Sequence, residues 1–274
     1  MPLAGNRLSV FDNPGIPNAV GGDGRDIGAF ELNGGPPLPT ILANISTRLP
    51  VGTGDNALIG GFIITGTQPK KVIVRGIGPS LPLAGALADP ILELHGPGSF
   101  VTVTNDNWRS TQEAEIIATG RAPSNDLESA IVADLAPGAY TAIVSGKNGT
   151  SGVGMIEVYD LSQTVPAKLA NISTRAFVSA GDNIVIAGFV LGDNMGTDRI
   201  VVRGIGPSLA AVGVPNALPD PTLELRDGYG VLVVADNDWQ DDSVQAGEVT
   251  AAGLAPTNPL ESAIAVTLSP GAYT

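Results

Sequence analysis

Two stretches of this 274-residue chain repeat one another block by block, so one architecture has to serve both. LANISTR (Leu42–Arg48) returns at Leu169–Arg175, and VRGIGPSL (Val74–Leu81) returns at Val202–Leu209. NDNW (Asn105–Trp108) returns as DNDW (Asp236–Trp239), and LESAI and PGAYT follow in both copies. The offset grows from 127 (Leu42 to Leu169) through 128 (Arg75 to Arg203) and 131 (Trp108 to Trp239) to 133 (Tyr140 to Tyr273). Small loop insertions between preserved blocks give such a drift, which marks a duplicated domain and not a short-period solenoid. Thr274 aligns with Thr141, and copy one continues through AIVSGKNGTSGVGMIEVYDL (Ala142–Leu161), for which copy two has no counterpart. The chain therefore reads as a fragment.

A unit of about 120 residues is long enough to bury a core of its own. Gly (36) and Pro (22) together exceed a fifth of the 274 residues, charged residues make up only 15%, and Val and Ile are plentiful. That mixture predicts many short strands joined by tight turns. The net charge of −13 disfavours nucleic acid and anionic membrane, because phosphate contacts need clustered Lys and Arg. An acidic surface suits solubility and divalent cations. The absence of Cys removes disulfides, thiolate catalysis and Cys-based zinc sites. No run approaches the roughly 18 apolar residues of a membrane span. The opening MPLAGNRLSV lacks the basic-then-apolar pattern of an export signal, so the expected location, secreted or cell-surface, places that signal upstream.

Residues 1–38 are rich in Gly, Pro, Asn and Asp, and predict an extended or partly disordered segment with one strand-like run, Ile27–Leu32. Repeat one spans 42–161. Its expected strands are Ala43–Arg48, Ala57–Thr65, Lys70–Arg75, Ile91–His95, Val101–Thr104, Ala130–Leu135, Tyr140–Ser145 and Gly154–Tyr159, with a short helix over Gln112–Thr119. PGAY reads as a tight turn, Pro137 presetting φ and Gly138 free to take positive φ. After a connector at 162–168, repeat two (169–274) is expected to repeat the order without its last hairpin. The fold class is all-β: two tandem two-sheet sandwiches, jelly-roll or immunoglobulin-like. A copy without the last hairpin exposes a sheet edge, open to disorder, to a homodimer through that edge, or to a strand from elsewhere. Ile27–Leu32 alternates much as Met155–Leu161 does, and is one such donor.

The blocks LANISTR, GDN, VRGIGPSL, NDNW, ESAI and PGAYTAIVSG resemble a repeat of large secreted proteins of Verrucomicrobia-like bacteria. The resemblance covers Leu42–Leu161 and Leu169–Thr274. The second half of each unit is also similar to the bacterial pre-peptidase C-terminal domain, a jelly-roll attached to exoenzymes, some of which bind calcium. It implies an accessory module of an exported protein. The first half of the unit departs from that pattern. DIGAFEL (Asp26–Leu32) resembles the closing residues of choice-of-anchor Q β-helix proteins, which implies a β-helix upstream.

The acidic tract is the leading candidate site. Asn105, Asp106 and Asn107 match Asp236, Asn237 and Asp238, with Asp241 and Asp242 beyond. Short carboxylates and amides at alternate loop positions can converge on Ca²⁺. They can equally form an Asx-rich turn that bonds its own backbone. Asp55, Asp182, Glu128 and Glu261 are candidate distant ligands. Trp108 and Trp239 follow the tract and offer either a stacking face for a sugar or a core anchor, the commoner use of a Trp recurring at one place in each copy. Arg75 and Arg203 sit in Gly-rich VRGIGPS. That loop resembles a phosphate cradle but has no Walker lysine, and the simpler reading pairs Arg with an acid such as Asp89 or Asp220. His95 is the only histidine and its counterpart in copy two is Arg226, so a catalytic histidine would exist at most once, and a surface position is expected for it. The leading functional expectation is a non-catalytic accessory, attachment or ligand-binding module, with polysaccharide or another surface ligand as candidate partner. The rivals are a metal-dependent hydrolase of esters or phosphoesters, built on the Asp/Asn tracts, and a carbohydrate-binding module using the two Trp.

Overall fold

A computed structural model describes residues 41–175, 178, 184–192 and 196–274; the strand expected at Ile27–Leu32, and Asp182, lie outside them. Copy one runs β1 (Ile41–Val51), β2 (Leu58–Gly66), β3 (Lys70–Ile77), β4 (Pro90–His95), β5 (Val103–Asn105), α1 (Glu113–Ala118), β6 (Ser129–Leu135), β7 (Gly138–Gly146) and β8 (Gly152–Asp160). Copy two follows with β9 (Ala167–Arg175), β10 (Ile186–Gly192), β11 (Asp198–Gly204), α2 (Pro207–Ala210), β12 (Leu223–Arg226), β13 (Leu232–Asp236), α3 (Ser243–Ala251), β14 (Ser262–Leu268) and β15 (Gly271–Tyr273). Asp55 lies in a single 3-10 turn, Gly54–Asn56, between β1 and β2.

The protein is all-β, and its strands pair antiparallel into sheets that face one another as a sandwich. In copy one, β1, β8, β3 and β6 form one layer and β5, β4, β7 and β2 the other. Alternation does the sorting: Phe62 and Ile64 of β2 and Leu92 and Leu94 of β4 meet Ile45 and Leu49 of β1, Val72 and Val74 of β3 and Ile156 and Val158 of β8 in one buried core.

The sheets do not stop at the boundary between the copies. Each LANISTR strand leaves the second strand of its own copy and pairs with that of the other. Strand β1 pairs with β10, with Ile45 opposite Phe189 and Arg48 opposite Ile186. Strand β9 pairs with β2, with Ile172 opposite Phe62 and Arg175 opposite Ile59. The two pairings share one register, so the exchange is reciprocal. As a result Leu169 of copy two is buried in the core of copy one, and Leu42 packs on the apolar cluster of copy two. Residues Pro39–Thr274 make one compact unit, and 161–166 carry the chain from β8 to β9, which starts inside the connector expected at 162–168.

A second apolar layer lies behind β6 and β14. Trp108, Ile73, Ile116 of α1, Ala130 and Val132 form it in copy one. Trp239, Val249 of α3, Ala263 and Ala265 form it in copy two. Only α1 was expected as a helix. The longer α3 forms because Asp242 caps it, accepting hydrogen bonds from the Val244 and Gln245 amides, whereas α1 starts without a side-chain cap. Gly138 does not take positive φ; the strand β7 starts there, and a Cβ would meet Pro97 Cγ at 2.9 Å. Among the described residues, no helix is long and apolar enough to cross a membrane.

Candidate functional site

Three repeated motifs meet at one end of each copy's β3–β6 or β11–β14 pair. The Gly-rich turn after β3 closes around a carboxylate from its own chain. Glu128 is fully buried, and its Oε1 accepts from the Gly78 and Ser80 amides, both at 3.0 Å, and from Ser80 Oγ at 2.6 Å. Copy two repeats this with Glu261 Oε1, the Gly206 and Ser208 amides at 3.0 and 2.9 Å, and Ser208 Oγ at 2.5 Å. The glycine is obligatory for a steric reason: a Cβ on Gly78 would meet Leu87 O at 2.2 Å, and one on Gly206 would meet Leu218 O at 2.2 Å. The anion cradle suggested by VRGIGPS therefore exists, but its occupant is the LESAI glutamate, and no room is left there for phosphate. Burial works against the charge of Glu261, yet the Ser208 and Gly206 donors outweigh it and hold its carboxyl below the ordinary range.

The Asx tract is tied to the same strand. Asn105 Oδ1 accepts from the Ala130 amide at 3.0 Å, while its Nδ2 donates to Asn107 O and Thr111 Oγ1. Asp236 Oδ2 accepts from the Ala263 amide at 2.7 Å in the same way. Both positions thus act as side-chain rungs extending the sheet. Ser129 Oγ donates to Asp106 O and Ser262 Oγ to Asn237 O.

Trp108 and Trp239 complete the clasp. Each donates its main-chain amide to the glutamate carbonyl, Glu128 or Glu261, and its indole N–H to Asn125 O or Asn258 O. With 2% and 9% of their surface exposed, neither offers a face to a sugar, and the core reading is the one the structure shows. Arg109 covers what remains of Trp108, its guanidinium carbon 4.0 Å from the ring centre.

The rest of the tract differs between the copies. Asp106 Oδ2 meets Lys147 Nζ at 2.7 Å, and that carboxylate raises the lysine's pKa; Asp89 lies 3.6 Å from the same ammonium. A fixed cation thus already sits where a metal ion would be expected in copy one. Copy two has Asn237 in place of Asp106. Asp236, Asp238, Asp241 and Asp242 crowd instead, and burial, followed by the other three carboxylates, raises the pKa of Asp236. One oxygen of Asp238 is buried with no partner. Among the described residues, no three His, Asp or Glu side chains are grouped to hold a metal ion.

The arginines bind protein groups. Arg75 forms an ion pair with Glu157 of β8, not with Asp89 as the sequence suggested, because β8 lies beside β3 and fixes the register Arg75 opposite Glu157. Its Nη1 donates to Arg121 O at 2.9 Å, and Arg203 Nη1 donates likewise to Leu254 O at 3.2 Å. A shallow cleft of about 280 Å³ opens beside Arg75, lined also by Ser80, Ser124 and Glu157. His95, on β4, is partly exposed, with ring nitrogens against Glu93 Oε2 at 2.9 Å and Thr102 Oγ1 at 3.1 Å.

The charged groups missed by sequence reasoning are Lys70, Lys147, Glu157 and Asp160. Each lies where the copies differ, which a search for shared motifs passes over. No family model matches the chain, and no curated protein is detectably similar to it.

Proposed function

We propose that this chain is a non-catalytic accessory or attachment module of an exported bacterial protein. The observation that carries this reading is the clasp. In both copies the glutamate of LESAI (Glu128, Glu261) and the first residue of the Asx–Trp tract (Asn105, Asp236) are turned inward and hold strands to one another. A hydrolase needs the opposite arrangement, with a water-activating group facing an open cleft. Sheets shared between the copies suit a semi-rigid spacer. Export itself rests on the resemblance to secreted repeats. The test is turnover of ester and phosphoester substrates by the full chain with calcium or magnesium. The expected result is no activity above that of an Asp106→Ala, Asp236→Ala double variant. Hydrolysis abolished both by EDTA and by that variant would establish the hydrolase instead.

Calcium stabilisation is a second reading, confined to copy two, where no lysine is paired with the tract as Lys147 is with Asp106 among the described residues and where one Asp238 oxygen is buried without a partner. A ligand that binds only the folded state raises the melting temperature with its concentration. A calcium-dependent rise that Asp238→Asn removes would support this reading, and a melt indifferent to calcium and EDTA would end it.

A further inference from the structure

A lysine and an aspartate are sealed together inside copy one, on neighbouring strands. Lys70 opens β3 and Asp160 closes β8. Asp160 stands opposite Val72, so strand alternation puts it and Lys70 on the face that carries Val72 and Val74 into the sandwich core. Both side chains are fully buried, with Nζ 2.6 Å from Oδ2. Ser162 brackets the pair: its carbonyl accepts from Lys70 Nζ at 3.0 Å, and its amide donates to Asp160 Oδ1 at 2.8 Å. Among the described residues no other side chain hydrogen-bonds to either group. A buried ion pair adds little stability over apolar residues of the same volume. An amine and a carboxyl held in contact away from water are, however, the reactants of an amide.

We propose that Lys70 and Asp160 condense to an isopeptide bond that ties β3 covalently to β8. Proton transfer along the Nζ–Oδ2 hydrogen bond turns the ion pair into an amine and a carboxylic acid, the forms that react, and burial favours that transfer because a neutral pair needs no hydration. Lys70 Nζ then attacks Asp160 Cγ. The Nζ–Cγ bond forms, the Cγ–Oδ2 bond breaks, and Oδ2 leaves as water with two of the three ammonium protons. Nothing is oxidised or reduced, and no co-reactant is needed. Oδ1 stays as the amide oxygen. The Ser162 N–H already points at it and stabilises the negative charge it carries in the tetrahedral intermediate. Ser162 O holds Nζ in place, so the two reactants are positioned before the step. No further acid assists the departure of water, which makes the step slow, and the ion pair is the state of the freshly folded chain. Copy two lacks the nucleophile, since Asp198 stands where Lys70 does. The bond rests on this geometry alone and needs nothing from the export or attachment reading.

Intact-mass spectrometry of the full chain tests this, on fresh protein and after incubation at neutral pH for days to weeks. The mass is expected to fall by one water as the folded chain ages, and to stay unchanged in a sample kept in urea. Fragmentation of a digest should yield a branched peptide joined at Lys70 and Asp160. Lys70→Arg and Asp160→Ala should keep their full mass, whereas Asp160→Asn should expel ammonia in place of water and converge on the product mass of the aged parent. A circular dichroism melt checks that each variant folds, and the branched peptide of the parent decides the matter where one does not. A folded parent that keeps its full mass after weeks overturns the proposal. So does a water lost equally in urea, or one lost elsewhere, such as a succinimide at the Asp227–Gly228 step, which hydroxylamine cleaves while an isopeptide bond survives.

Discussion

Lys70 and Asp198 occupy the same place in the repeat, yet one is a fully buried ammonium and the other a half-buried carboxylate. Lys70 Nζ meets Asp160 Oδ2 at 2.6 Å and Ser162 O at 3.0 Å, both brought in with β8. Among the described residues Asp198 accepts only from the next residue's amide, Arg199, at 2.8 Å. The strands that carry them have the same partner on one side, since Lys70 faces Leu135 and Asp198 faces Leu268. They differ on the other side alone. Duplicating a sequence therefore duplicates hydrogen-bond registers but not burial, because burial is decided by the next strand over. The largest expected effect follows from this. Lys70→Met leaves Asp160 uncompensated in the interior and should cost about 3–5 kcal/mol, with Lys70→Met, Asp160→Leu recovering most of it. Asp198→Met should stay within about 0.5 kcal/mol of the parent. Urea unfolding at pH 7 measures both, and equal costs at the two positions would break the comparison.

Where the copies agree, perturbations should agree too. Glu128→Gln and Glu261→Gln each replace a charge-assisted acceptor that holds the Gly-rich turn, and each should cost about 1.5–3 kcal/mol. The pH dependence has a definite sign for Glu261. Its folded pKa is lowered, so its contribution is complete above the ordinary glutamate value of about 4.3 and is lost as the pH falls through the lowered value. The stability difference between the parent and Glu261→Gln should therefore shrink below that range. A difference that grows on acidification would show that the carboxylate is not what the turn holds.

Much of this was legible in the sequence. Alternation located all eight strands of copy one to within about three residues, since each carries its own period-two pattern between Gly or Pro turns. The duplication also marked VRGIGPS, the Asx–Trp tract and LESAI as scaffold. It could not show that they are the same scaffold, because Gly78 meets Glu128 across 50 residues of chain and Asn105 meets Ala130 across 25. The exchange of β1 and β9 was invisible for a different reason. LANISTR is identical in the two copies over Leu42–Arg48 and Leu169–Arg175, so either strand fits either partner equally well by composition. The partner of Arg75 was missed because Asp89 is nearer in sequence while Glu157 is the neighbour in the sheet.

The smallest expected effect is a reciprocal exchange at the rung position. Asn105 and Asp236 both accept from a strand amide, but Asp236 does so as a carboxylate whose pKa is raised, by burial first and then by Asp241, Asp238 and Asp242. A carboxyl with a raised folded pKa contributes fully below the ordinary aspartate value of about 3.9, and that contribution is lost as the pH rises through the folded value. At pH 7 the charge is therefore a burden on copy two. Asp236→Asn keeps the acceptor for Ala263, removes the charge, and gains an N–H₂ placed as in Asn105, where it reaches the carbonyl two residues on. It should stabilise the chain in EDTA by up to about 1 kcal/mol, and the gain should fade below pH 4. Asn105→Asp should do the reverse, introducing a carboxylate near Asp106. Thermal melts of the two variants and of the double exchange decide the matter. If Asp236→Asn is destabilising in EDTA, the Asp236 carboxylate is held by something other than the Ala263 amide. If it is destabilising only in calcium, the tract of copy two is an ion site and the burden is one that the ion relieves.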